Sequence, residues 1–184
     1  MNIYIDFKSP AAYLAMRPTL ALIEKTDADV TWLPFNTAQQ SVPLASDDET
    51  KGDTHRRVRA LSRQQTHLMY ADLAGTDMHF RETPGSTELA LAALLNTIDD
   101  RLDYILRAFQ AYWVEQLDLN DSSVVTDLLG ASGSVPDNLD VLRESQLKAE
   151  TEGIIDTPAY TINGQLFIGR EHLPWIGQEL AKPG

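Results

Sequence analysis

The sequence predicts an α/β protein with strand-forming segments at both ends of the chain and a block of helices between them. Three observations carry this. A strand–helix–strand order fills the first 35 residues, an Asn-Gly pair between alternating apolar residues makes a hairpin near the C-terminus, and the segments between repeat their apolar residues at helical spacing.

Asn2 to Phe7 places Ile3 and Ile5 against Tyr4 and Asp6, the period of a short strand. Ser9-Pro10 then starts a helix: serine at the N-cap accepts a backbone hydrogen bond, and proline at the first helical position gives up no useful donor. Apolar positions continue through Leu14, Ala15, Leu20 and Ile23, and Pro18 inside the pattern predicts a kink or break near Met16-Arg17. Asp29 to Phe35 reads as a second strand whose Pro34 belongs at a bulge or an edge. Residues 36–51 are polar, contain proline and read as a loop. Helices are predicted over 53–73, 86–97, 121–130 and 136–152. The clearest helical pattern runs from Asp100 to Leu117, with Leu102, Ile105, Leu106, Phe109, Tyr112, Trp113 and Leu117 three or four apart. Pro136 suits an N1 position, and Gly75 and Gly130 suit helix stops. Pro158 to Ile162, Asn163-Gly164 and Gln165 to Ile168 form a hairpin, because a two-residue type I′ turn needs φ > 0 at both positions. Gly169 ends that strand, and Glu171 to Leu180 closes the chain as a helix.

The order β-α-β, helical block, β-β-α is the thioredoxin topology with an inserted all-helical domain. It divides the chain into a discontinuous thioredoxin-like domain, residues 1–40 and 150–184, and a helical insertion, residues 41–149. A thioredoxin sheet carries a cis proline at the start of the strand that faces the first helix, and Thr157-Pro158 stands in that place. Proline lowers the cis penalty to about 0.5–1 kcal/mol.

Composition narrows the chemistry. The 184 residues are 43% hydrophobic and 23% charged, ordinary for a globular protein, and contain no cysteine. Disulfide scaffolds, thiolate metal sites, cysteine nucleophiles and protein-borne dithiol exchange are therefore excluded. The net charge of −12 opposes nonspecific binding to nucleic acid or anionic membranes. Residues 51–67 run against it, with Lys51, Arg56, Arg57, Arg59 and Arg63 facing Asp53 alone; a solvated helix face is the plain reading, and attraction of a small anion is the other. No export segment or bilayer-spanning apolar run is visible, so the expected location is cytoplasmic. His55, His67, His79 and His172 show no ligand spacing, and no metal is expected.

Several runs resemble one family. Asp6-Phe7-Lys8-Ser9-Pro10-Ala11-Ala12-Tyr13-Leu14-Ala15 resembles the opening of the 2-hydroxychromene-2-carboxylate isomerases, relatives of the kappa-class glutathione transferases and, more distantly, of DsbA-type oxidoreductases. Trp32-Leu33-Pro34-Phe35, Tyr70 to Gly75, Phe109 to Glu115, Gly153 to Pro158 and Phe167 to Leu173 resemble later signatures of the same family in order along the chain. The resemblance implies a DsbA-like fold and a glutathione-dependent enzyme. Ser9 would take the place of the oxidoreductases' nucleophilic cysteine and hydrogen-bond the thiol of bound glutathione at a helix N-terminus, where partial positive charge favours an anion. The family pattern extends glutathione binding to Pro10, Thr157, Pro158, Arg170 and Glu171, with the last two at the γ-glutamyl end. Phe7 and Lys8 are candidates for the substrate, a small electrophilic, anionic aromatic molecule. Arg56, Arg57 or Arg63 could also hold a carboxylate.

The sequence departs from the family in three places. Asp156 replaces a glycine, Arg170 replaces a small or amide residue, and an asparagine-containing loop is not recognisable in residues 36–51. These departures support an alternative, a non-catalytic thioredoxin-fold binding module. Read alone, Ser9 is a helix cap and Glu171 a first-turn helix acid. Whether the chain forms a homodimer is left open by the sequence.

Overall fold

In the computed structural model, residues 1–38, 42, 48–97 and 99–182 are described. The elements are β1 (Asn2–Ile5), α1 (Pro10–Thr26), β2 (Thr31–Pro34), α2 (Lys51–Ala74), α3 (Glu88–Asn96), α4 (Arg101–Trp113), α5 (Ser122–Leu129), α6 (Asp140–Thr151), β3 (Ala159–Ile162), β4 (Gln165–Ile168) and α7 (Leu173–Leu180). The four strands form one sheet in the order β2-β1-β3-β4. The β1–β2 pair is parallel, and β1–β3 and β3–β4 are antiparallel.

The strand alternation sorts two cores. Ile3 and Ile5 point to the face shared with Trp32, Tyr160 and the apolar side of α7, whereas Tyr4 points to the opposite face, with Phe35, Ile154 and Ala149 of α6. The first core runs without interruption into α3 and α4 through Leu91, Leu94, Tyr104, Phe109 and Trp113. Sheet and helical block therefore share one buried interior. Among the described residues no helix is long and apolar enough to cross a membrane.

Local signals in the sequence act where the chemistry is local. Ser9 caps α1, with Pro10 in the first turn. Gly75 ends α2 in the left-handed region, at φ 60°. Asn163 and Gly164 have φ of 50° and 75°, the signature of the type I′ hairpin. Pro34 closes β2 on the edge of the sheet, where its missing N–H costs no ladder bond.

Three boundaries differ from expectation. α1 is unbroken through Pro18, which is exposed; continuing the helix buries Thr19 and packs Leu20 and Ile23 on the core. α6 starts at Asp140 and not at Pro136, because the Asn138 side chain accepts from the Asp140 N–H at 2.9 Å and sets the first turn there. α4 stops at Trp113, short of Leu117; Gln116 takes a positive φ of 59° and folds its amide back onto the carbonyls of Tyr112 and Trp113. Of the predicted loop at 36–51, residues 39–41 and 43–47 lie outside the described residues, and the described ones before Lys51 belong to no helix or strand.

Candidate active site

The β1–α1 junction and the start of β3 meet at the floor of a cleft of about 220 Å³. The hydroxyl of Ser9 is fixed twice there. It accepts from the Ala12 N–H at 3.2 Å and donates to the Thr157 carbonyl at 3.0 Å, so the cap of α1 is also the tie to β3. The Thr157–Pro158 peptide bond is cis. The Thr157 N–H donates to Asp156 Oδ1 at 2.7 Å, while its own hydroxyl oxygen is buried and makes no hydrogen bond among the described residues. An unmade bond on a buried hydroxyl costs about 1–3 kcal/mol.

Beside Ser9 lies a buried polar cluster built on Asp6, whose side chain has no exposed surface. Asp6 Oδ1 accepts from the Lys8 N–H at 3.2 Å and the Thr87 hydroxyl at 2.8 Å. Oδ2 accepts from the Lys8 ammonium at 2.6 Å, and from the N–H and hydroxyl of Thr37 at 2.7 Å each. The ammonium also donates to Asn36 Oδ1. Asn36 in turn reaches Glu88 with its Nδ2, at 3.0 Å, and Gln146 with its main-chain N–H, at 2.9 Å. One carboxylate thus joins the end of β1, the segment after β2 and the start of α3. The Lys8 side chain is buried, yet it lines the cleft. Among the described residues two of its three N–H groups are engaged, and the third is without a partner.

The remaining walls come from α2, the segment after it and the end of α4. Arg63 and His67 sit one turn apart on α2, and Arg81 faces the cleft from the following segment. Arg81 packs over the Tyr112 ring at 4.6 Å and donates to the Leu117 carbonyl, while its Nε is buried without a partner among the described residues. Trp113 and Phe80 form the apolar wall, ring centroids 5.3 Å apart. Trp113 Nε1 donates to the Phe7 carbonyl at 2.8 Å and so anchors the main chain between Asp6 and Ser9. Burial, together with the charges of Arg170 and Arg63, holds the His67 pKa below its ordinary value, partly offset by a hydrogen bond to the Arg63 backbone.

The expected site residues divide into three groups. Ser9, Pro10 and Lys8 line the cleft, joined by Arg63. Thr157 and Pro158 are buried one layer behind it, with Asp156 between Thr157 and the opening. Phe7, Arg170 and Glu171 are elsewhere. The Phe7 ring is wholly buried, edge-on to Phe109 and Tyr104, and offers a substrate no surface. Arg170 lies over the Tyr70 ring at 4.4 Å and lines a separate cleft along α1. Glu171 is exposed, and Gly169 before it takes a φ of 101°, a backbone conformation that favours glycine. Arg57 is held by Glu49 and Arg56 by Asp53.

The sequence reading missed Asp6, Asn36, Thr37 and Thr87. Asn36, Thr37 and Thr87 lie 28, 31 and 81 residues from the Lys8 or Asp6 group each binds, so no local spacing announces them. The available signal was an acid at the end of an otherwise apolar strand with a lysine two residues on, since a buried charge requires a partner. Among the described residues no cluster of three or more His, Cys, Asp and Glu is placed to hold a metal ion.

A family model described as a DSBA-like thioredoxin domain matches residues 1–181, and the chain belongs to that family. Its fold is similar to the structure of a 2-hydroxychromene-2-carboxylate isomerase, with a TM-score of 0.69 and 16% identity over 96% of this chain and 92% of the other. It is also similar to a candidate protein disulfide isomerase from Nitrosomonas europaea, with a TM-score of 0.61 and 14% identity over 96% of this chain and 97% of the other. No curated protein matches the chain significantly in sequence.

Two outcomes are expected from this geometry. Asp6→Asn leaves the Lys8 ammonium facing an amide in a buried site and is expected to destabilise the fold by about 3–5 kcal/mol in urea denaturation; a loss under about 1 kcal/mol would contradict the role given to the carboxylate. A His67 pKa held down in the fold means that the unfolded chain binds more protons as pH falls through the ordinary histidine value. The penalty grows until the folded pKa is passed. Wild type should therefore lose stability relative to His67→Gln between pH 7.5 and 5, whereas parallel losses would place the imidazole in solvent.

Proposed function

We propose that the cleft is the site of a glutathione-dependent isomerase or transferase acting on a small electrophilic aromatic substrate, related in activity to the 2-hydroxychromene-2-carboxylate isomerases and kappa-class glutathione transferases. The observation that carries this reading is the Ser9 hydroxyl, fixed at the N-terminus of α1 on the floor of a cleft with basic groups along its walls, in a chain that has no cysteine of its own. When bound, glutathione would supply the sulfur nucleophile that adds to, and leaves, a conjugated carbon of the substrate.

The chain's own residues suit that task at one end of the ligand. Ser9 has a single O–H, now given to the Thr157 carbonyl; turning it toward a sulfur anion keeps the bond from Ala12 and adds a donor where the dipole of α1 already favours negative charge. The third N–H of Lys8 is a second donor, held in place by Asp6 and Asn36 and suited to charge developing on a substrate oxygen. Arg63 and Arg81 are placed for a carboxylate, and the Nε of Arg81 is a buried donor without a partner among the described residues. Trp113 and Phe80 supply the apolar wall an aromatic ring needs. Arg170 and Glu171, which the family pattern places at the γ-glutamyl end, do not line this cleft, although the Arg170 charge reaches His67 on its wall.

A second reading, a binding module with no catalysis, is favoured by one observation. The Thr157 N–H and carbonyl, which an extended ligand would pair with, are both already bonded within the chain.

Thermal unfolding with glutathione separates the two. At 100 times its Kd a ligand stabilises by about 2.7 kcal/mol, so a clear rise in Tm at millimolar glutathione is expected; no rise would favour the binding module. In the glutathione complex, Ser9→Ala is expected to keep affinity within a few fold and raise the bound thiol's pKa by about 1, read from thiolate absorbance against pH. An unchanged pKa would remove Ser9 from the chemistry.

A further inference from the structure

We propose that Asp156 is a built-in occupant of the main-chain pairing site at Thr157, and that it sets how tightly an extended thiol peptide binds there. The inference rests on the glutathione reading above and concerns the control of that same site.

Three observations converge. The Asp156 carboxylate accepts from the Thr157 N–H at 2.7 Å, which is the donor that a peptide lying along the start of β3 would take. Asp156 lines the cleft while Thr157 is buried behind it, so the carboxylate covers the position as well as filling its bond. The Thr157 hydroxyl oxygen is buried with no hydrogen bond among the described residues, which leaves a polar group at the same residue that an incoming ligand could satisfy.

The guard is a removable one. Asp156 is an exposed residue, and its carboxylate can exchange the Thr157 N–H for water at small cost. A ligand that displaces it gains the N–H but leaves a negative charge beside itself. Glutathione carries two carboxylates, so that charge and Glu82 disfavour it, while Lys8, Arg63 and Arg81 elsewhere in the cleft favour it. Asp156 thereby lowers affinity for an anionic peptide without altering the Ser9 end of the site. A side chain with no acceptor at this position opens the N–H and removes the charge together. An amide keeps the acceptor and removes the charge alone.

Calorimetric titration of glutathione into wild type, Asp156→Ala and Asp156→Asn tests this. Asp156→Ala is expected to bind about tenfold more tightly than wild type, with Asp156→Asn between the two. Affinity in Asp156→Ala equal to or weaker than wild type would overturn the guard while leaving the glutathione reading intact. Amide hydrogen exchange at Thr157, corrected for the intrinsic rate of each sequence, reads the guard with no ligand present. It should be at least about tenfold faster in Asp156→Ala than in wild type, and an unchanged rate would overturn the proposal. Faster exchange with no glutathione binding by any of the three proteins would keep Asp156 as the occupant of that N–H and refute the glutathione reading.

Discussion

The cleft depends on one buried carboxylate. Asp6 stands where β1 ends and accepts five hydrogen bonds, from Lys8, Thr37 and Thr87. A charge removed from water is tolerated only when it is paired and its lone pairs are filled, so the three segments that supply those donors cannot move apart without exposing a large penalty. They are the turn into α1, the chain leaving β2 and the chain entering α3, and together they fix one side of the cleft. Two further bonds complete the frame. Trp113 of α4 holds the Phe7 carbonyl, and the Asp6 carbonyl accepts from the Ser9 N–H at 3.0 Å. The orientation of the Ser9 hydroxyl is the end result of this chain of constraints.

The same arrangement explains why a charged site can exist on an interior shared by sheet and helices. The rings of Phe7, Phe109, Tyr13 and Trp113 pack directly beneath it, Tyr13 stacked on Trp113 at 5.9 Å, and provide a rigid apolar support. Lys8 then presents a cation at the cleft whose position is set by Asp6 and Asn36 and not by solvent. A cation held this way needs little reorganisation when negative charge appears nearby, which is the property an electrostatic catalyst requires.

What the sequence made legible follows the range of the interactions. Ser9-Pro10, Gly75 and Asn163-Gly164 act within four residues, and each produced the turn or cap its chemistry dictates. Alternation in β1 marked a strand with Ile3 and Ile5 on one face; its central place in the sheet and the burial of Tyr4 on the other face came from the fold. Tertiary context decided the rest. α1 runs unbroken through the exposed Pro18, and Asn138 takes the start of α6 from Pro136. Ser9 and Lys8, neighbours in the chain, both line the cleft. Asn36, Thr37 and Thr87 were not legible, because only folding brings them to Asp6. Phe7 is the converse case: it lies beside Lys8 in sequence, yet packing turns its ring inward, while Arg170 lies over the Tyr70 ring and Glu171 is exposed.

The absence of cysteine gives the account its central claim, that any sulfur chemistry in this DSBA-like domain uses a sulfur brought by a ligand to Ser9. A crystal structure of the protein with glutathione bound tests it most directly. The account predicts the glutathione sulfur within hydrogen-bond reach of Ser9 Oγ at the N-terminus of α1, with the cysteinyl main chain alongside Thr157 and the Asp156 carboxylate displaced. Glutathione seated away from Ser9, or no glutathione in the cleft of crystals grown at saturating concentration, would contradict it.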